Sequence, residues 1–153
     1  MITNDDILTL LSEVVDSGSE VRLPVSGSSM GPAFSSVRDL VVRGSVATVI
    51  SPGSLVVFFL HGRWAAHRVI CVRQGAGGVE YLTKGDGLRQ PDGPLLRGSE
   101  IKGVVVGLGL ANGTTVDLQT FRARLSAWWI VKRFWIRRRI IPTGKGPKPA
   151  YRE

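Results

Sequence analysis

Leu55-Val56-Val57-Phe58-Phe59-Leu60-His61-Gly62-Arg63-Trp64-Ala65-Ala66-His67-Arg68-Val69-Ile70-Cys71-Val72-Arg73 is the stretch that decides the fold. Its first six residues form one continuous apolar run bounded by turn residues, which reads as a buried strand. His61-Gly62-Arg63 turns the chain, and Trp64–Arg73 returns as a second strand. Alternation along that second strand puts His67 on the same face as Val69 and Cys71.

The same grammar continues outward in both directions. Upstream, Val21–Val25, Leu40–Val42 and Ala47–Ile50 are short β-rich pieces, and Ser51-Pro52-Gly53-Ser54 is a turn. Downstream, Gly75–Gly78 turns the chain into Val79–Thr83, and Lys84–Gly98 is a long loop rich in Gly, Pro and Asp. Ile101–Leu110 reads as a strand, Ala111-Asn112-Gly113-Thr114 as a hairpin turn, and Thr115–Leu118 as its return. Short strands at this spacing predict a mostly β domain of barrel or sandwich type. Residues 4–16 read as an amphipathic helix packed on that domain. Asn4 serves as N-cap, Asp5 and Asp6 lie in the first turn, and Gly18 is the stop.

The chain has 153 residues and 43% apolar content, enough for one domain with its own core. Cys71 is its single cysteine, which excludes an intramolecular disulfide and a cysteine-based zinc site. With His61 and His67 as the only histidines, no multi-histidine metal centre is expected, and no cofactor. The net charge of +8 is concentrated at one end. Residues 1–120 carry ten Lys/Arg and eleven Asp/Glu, whereas residues 121–153 carry ten Lys/Arg and one Glu. The expected organisation is a β-domain with its N-terminal helix over residues 1–120, a basic aromatic helix over 121–141, and a flexible tail over 142–153.

In the basic helix, tryptophan and arginine are interleaved: Trp128, Trp129, Lys132, Arg133 and Trp135 are the candidates for contact with an anionic membrane surface. The rival reading docks the helix on the β-domain through its aromatics. Nucleic-acid binding is not expected, since no recognition motif accompanies the charge. The longest uncharged run there, Leu125–Val131, has seven residues and is too short to span a bilayer. Neither a secretory signal nor a spanning helix is predicted, so the expected location is peripheral to a membrane or cytoplasmic.

Chemistry centres on Ser26-Gly27-Ser28-Ser29-Met30-Gly31-Pro32, a loop with three hydroxyls held by two glycines and a proline. A serine hydroxyl becomes a useful nucleophile when a neighbouring base takes its proton, and histidine is the side chain suited to that near neutral pH. His67, on a strand, is the candidate base, and His61 at its turn reads as solvent-exposed. A histidine in this role needs a carboxylate to hold its tautomer. The loop Thr83-Lys84-Gly85-Asp86-Gly87-Leu88-Arg89-Gln90-Pro91-Asp92-Gly93 offers Asp86 and Asp92, and the sequence leaves both open.

Four elements in order resemble the signal peptidase I family of serine proteases, in its histidine-bearing branch found in the endoplasmic reticulum, archaea and sporulating bacteria. They are Gly27-Ser28-Ser29-Met30-Gly31-Pro32, Gly53-Ser54-Leu55-Val56-Val57-Phe58, His67-Arg68-Val69, and Lys84-Gly85-Asp86 with Asp92 following. The resemblance implies Ser29 as nucleophile, His67 as general base, and Asp86 and Asp92 as supporting acids. It also implies an oxyanion site at the Ser29 N–H with the Ser26 or Ser28 hydroxyl, and Met30 packed beneath the loop. Lys84 falls in the Lys-Gly-Asp element, not at the base position. Ser54 stands where the family usually has an acidic residue.

The implied activity is a serine endopeptidase acting on an extended precursor or signal-peptide-like polypeptide, cut after small residues. The alternatives are a soluble or peripheral peptidase that matures one precursor or cleaves itself, and a non-catalytic membrane-surface adaptor.

Overall fold

The structure, a computed structural model, describes residues 4–25, 27–45 and 49–140. Helix α1 (Asn4–Ser17) is followed by strands β1 (Glu20–Pro24), β2 (Val37–Gly44), β3 (Leu55–Leu60), β4 (Arg63–Gly75), β5 (Gly78–Lys84), β6 (Leu96–Arg97), β7 (Ile101–Leu110) and β8 (Thr115–Asp117). Helix α2 (Phe121–Ile140) closes the described chain. The strands form one antiparallel sheet in the order β1-β2-β7-β3-β4-β5-β6, with β8 also paired to β7. The sheet is open: β1 and β6 end the order and are not joined to each other.

Strand β3 explains why an unbroken apolar run was needed. Successive side chains of a strand point to opposite faces. Leu55 and Val57 enter a core cluster with Leu11 of α1, Leu23, Leu40, Val42 and Val105. Val56 and Phe58 enter a second cluster with Val69, Leu96, Ile101 and Val104. Both faces of the sheet are therefore covered at β3, and a polar residue at any of these four positions would lose its water without a partner. Val56 and Phe58 are fully buried, each contributing about 1.5–3 kcal/mol of apolar burial.

The β3–β4 hairpin turns through His61 and Gly62, both at positive φ (48° and 76°), the backbone that matches the strand twist in a two-residue loop. Strand β4 then pairs with β3 over Arg63–Arg68 and with β5 from Arg68 onward. A bulge between Val69 and Cys71 breaks the alternation that would have carried Cys71 onto the face of His67 and Val69.

Several expectations shift in detail. Strand β2 is longer at both ends than the Leu40–Val42 segment. The Ala47–Ile50 piece falls partly outside the described residues, and its described members, Val49 and Ile50, are not in a strand. Strand β6 lies within the stretch read as loop. Two residues are too few to show a period, and the strand exists because Leu96 is buried while its backbone pairs with Tyr81. The expected tail over residues 142–153 lies outside the described residues.

Helix α2 lies against the sheet through residues spaced three or four apart. Ala127 meets the Gly53 turn, Val131 is buried, and Trp135 donates its Nε1–H to the Ile70 carbonyl at 3.0 Å. Under its N-terminal half a cavity of about 800 Å³ remains, walled by residues such as Leu55, Val105, Leu108 and Ile130. No described helix is long and apolar enough to cross a membrane.

Candidate active site

Ser29 occupies a tight turn. The Gly31 N–H donates to the Ser28 carbonyl at 2.9 Å, which leaves Ser29 and Met30 as the two central residues. Gly31, at φ +73°, adopts a backbone that residues with a Cβ resist, and Pro32 then starts a short 3₁₀ turn (Pro32–Phe34). The turn is seated on the loop after β5: the Gly87 N–H donates to the Ser29 carbonyl at 2.9 Å. The seat admits no side chains. A Cβ on Gly85 would stand 2.5 Å from the Ser29 carbonyl oxygen, and one on Gly87 would stand 2.6 Å from the Gly31 nitrogen. Met30 packs against the α1-side core, and its sulfur accepts the Asp86 N–H at 3.5 Å. The thioether therefore ties the turn to the Lys84-Gly85-Asp86 segment from below.

His67 reaches this turn from β4. Its Nε2 lies 2.9 Å from Ser29 Oγ, and its Nδ1 lies 2.7 Å from Asp92 Oδ2. An ionised carboxylate only accepts, so Nδ1 carries the proton and Nε2 is left to accept from the serine hydroxyl. The imidazole is buried, at 3% exposure, and Phe58 meets it edge-on with ring centroids 5.8 Å apart. Burial fixes the ring and excludes competing water from all but the serine side.

Asp92 is held by Thr83. The Asp92 N–H donates to the Thr83 carbonyl at 2.8 Å, and Thr83 Oγ1 donates to Asp92 Oδ2 at 2.7 Å. These two bonds fold residues 85–91 into a closed excursion and return Asp92 to the end of β5. The Asp92 carboxylate thus accepts from a hydroxyl and an imidazole at once.

Asp86 does something else. Arg68 follows His67 on β4, and its side chain leaves from the opposite face of the strand. Its Nε and Nη2 form a forked pair with Asp86, the shortest contact being 2.6 Å, while Nη1 donates to the Gly53 carbonyl at 2.9 Å. Arg68 is 6% exposed. A buried guanidinium satisfied in this way braces the β5–β6 loop and the Gly53 turn against β4. Of the two acids expected to support the site, Asp92 contacts His67 and Asp86 contacts Arg68.

The remaining expectations divide. Ser26 lies outside the described residues. Ser28 is exposed and contributes its carbonyl to the turn. The Ser29 N–H donates to no described residue. Lys84 is buried at 8% exposure, donates from Nζ to the Gly85 carbonyl at 3.0 Å, and lies 5.2 Å above the Phe134 ring of α2. Burial pulls its pKa below the ordinary 10.5, partly opposed by the Asp86 and Asp92 charges. Ser54 Oγ accepts the Ser51 N–H at 3.1 Å and closes the turn before β3. Among the described residues no three His, Cys, Asp or Glu side chains converge as metal ligands.

Trp135 is docked on the sheet, the half-exposed Trp128 lines the cavity beneath α2 and the half-exposed Trp129 does not, so the candidate membrane residues are not equivalent. Sequence reasoning gave no role to Thr83 or Arg68. For Thr83 the available signal was a hydroxyl directly before the Lys84-Gly85-Asp86 element. For Arg68 it was a charge next to the histidine in a strand flanked by apolar residues.

No family model matches the chain, and no curated protein matches it significantly.

Proposed function

We propose that this protein is a serine endopeptidase that works through an acyl-enzyme, and that it resembles signal peptidase I in its serine–histidine form. The observation that carries the reading is the continuous hydrogen-bonded chain Ser29 Oγ···Nε2 His67 Nδ1···Oδ2 Asp92, at 2.9 and 2.7 Å. A serine at a glycine-built turn, a buried histidine and a buried carboxylate in that order have no structural need for one another.

In the proposed reaction His67 Nε2 takes the Ser29 proton as Oγ bonds to the substrate carbonyl carbon. The oxyanion develops at the Ser29 N–H. His67, now protonated and compensated by Asp92, gives its proton to the leaving amine as the C–N bond breaks. Water then gives a proton to His67 and attacks the acyl ester, and the released Ser29 Oγ takes that proton back. Asp92 keeps its hydrogen bonds to His67 Nδ1 and Thr83 Oγ1 throughout.

Substrate binding has support in the sheet. Over Arg63–His67, β4 pairs with β3 on one edge and has no described strand on the other, because β5 joins only at Arg68. An extended peptide added there would run to His67 along unpaired backbone groups. By resemblance, the residue before the scissile bond would be small, such as Ala.

The test is cleavage of a peptide carrying an Ala-x-Ala site, with and without anionic vesicles. The wild type should cleave it and Ser29→Ala should lose at least about 10³-fold in rate. Equal cleavage by both proteins, or none under any condition, would overturn the reading.

A further inference from the structure

Helix α2 carries seven Lys/Arg and no acidic residue between Phe121 and Ile140. None of the ion pairs among the described residues involves any of these seven cations. Its inner side is spent on the fold: Ala127 on the Gly53 turn, Val131 in the core, Phe134 under Lys84, Trp135 on the Ile70 carbonyl. At about 100° per residue, Leu125, Trp129 and Ile136 project from the opposite side. They are exposed at 44%, 56% and 44%, while Trp128, at 45%, sits on the flank that lines the cavity beneath the helix. Exposed Arg122, Lys132 and Arg133 are set among them, with Lys132 Nζ 4.3 Å over the Trp128 ring. Trp128 and Trp129 also meet edge-to-face, with centroids 5.2 Å apart.

Folding does not account for three large apolar side chains left on one outer face. Their chemistry selects an occupant. Unneutralised cations call for an anionic surface. A nucleic acid would satisfy the cations but would leave Leu125 and Ile136 in water. A bilayer with anionic headgroups satisfies both, with tryptophan rings at the headgroup boundary and the lysine and arginine stems lying along the apolar surface. Cations mixed with aromatics, not segregated on a polar face, fit a shallow seat parallel to the membrane plane.

We propose that the outer face of α2 is a docking surface for anionic lipid bilayers. The inner face of the same helix touches Gly53, whose carbonyl is held by Arg68; Ile70, three residues beyond His67 on β4; and Lys84, which precedes the Gly85 seat of the Ser29 turn. A bilayer that seats α2 therefore holds the candidate site at a fixed place relative to its surface, where a membrane-bound polypeptide is presented at raised effective concentration. The docking does not depend on the peptidase reading, because it is measured on a protein with no nucleophile.

The experiment is sedimentation of full-length Ser29→Ala with phosphatidylcholine vesicles, with and without about one third phosphatidylglycerol. Binding should be at least ten-fold tighter to the anionic vesicles, and should weaken sharply toward about 1 M salt, where screening is nearly complete. Trp129→Ser with Ile136→Ser should cut it about ten-fold, and Lys132→Glu with Arg133→Glu about thirty-fold or more, both with the melting temperature unchanged. All four positions are exposed, so these variants are expected to fold. Equal affinity for neutral and anionic vesicles would overturn the proposal, as would absence of binding. So would binding lost only on deletion of residues 141–153. RNA or DNA that displaces the vesicles, and binds regardless of Trp129→Ser, would assign the surface to nucleic acid instead.

Discussion

The Gly87 N–H donates to the Ser29 carbonyl at 2.9 Å, so the turn that presents the hydroxyl rests directly on the backbone of the loop between Lys84 and Asp92. Ser29 and Asp92 are thereby parts of one assembly, since the same loop carries Asp92 back to Thr83 and His67. Added bulk at that contact has to displace one backbone from the other. Gly85→Ala and Gly87→Ala should each lower the rate by about 10²-fold, the usual cost of moving a reacting group by an ångström. The circular dichroism spectrum should be retained. Gly93→Ala, with nothing within 4 Å of its added methyl, is the control and should be neutral.

The two acids separate cleanly by readout. Asp92→Asn removes the acceptor that fixes the His67 tautomer and should cost about 10³–10⁴-fold in rate with a small change in stability. Asp86→Asn leaves the Arg68 guanidinium, its side chain 7% exposed, without its counter-charge. It should cost about 3 kcal/mol of unfolding free energy, read from denaturant titration, with the larger part of the activity retained in the protein that remains folded. Identical effects from the two substitutions would contradict this division of labour.

Lys84 gives a pH signature in stability. Its folded pKa is lowered from 10.5, chiefly by burial, so between the lowered value and 10.5 the unfolded chain binds more protons than the folded one. Stability attributable to Lys84 should therefore rise with pH through that window and level off above 10.5. Denaturant midpoints of the wild type and Lys84→Met, compared at rising pH, should diverge in favour of the wild type. Parallel curves would show that Lys84 does not titrate differently on folding.

Docking and exposure on α2 make opposite predictions for two tryptophans. Trp135→Phe removes the hydrogen bond to the Ile70 carbonyl and should cost about 1 kcal/mol, with Trp135→Ala costing about 2–3 kcal/mol. Trp129→Ala should change stability by less than about 0.5 kcal/mol, because that ring is 56% exposed. Thermal or chemical unfolding of the three variants checks both.

Much of the strand framework was legible because it rests on local pattern. The apolar run of β3, the His61-Gly62 turn and the long β7 each follow from side-chain alternation or from backbone angles that few residues adopt. Strand β6 was hidden because two residues have no period and pair only through a partner more than a dozen positions away. The choice of Ser29 among three serines followed from its place in a motif with His67, and the structure puts those two side chains at 2.9 Å. The same local reasoning stopped at Asp86 and Asp92: both precede glycine in one loop, and both read as ordinary turn residues.

By itself, then, the sequence determined a mostly β domain with a helix at each end, a serine turn that glycines had to build, and a histidine on a buried strand face. Tertiary structure alone decided three things. Asp92 goes to His67 and Asp86 to Arg68, because adjacent strand residues face opposite ways and the β5–β6 loop passes both faces. The sheet stays open, because pairing ends at β1 and β6. And α2 splits into a docked face and an exposed one, because which aromatic meets the sheet depends on the angle at which the helix lies across it, and no local pattern encodes that angle.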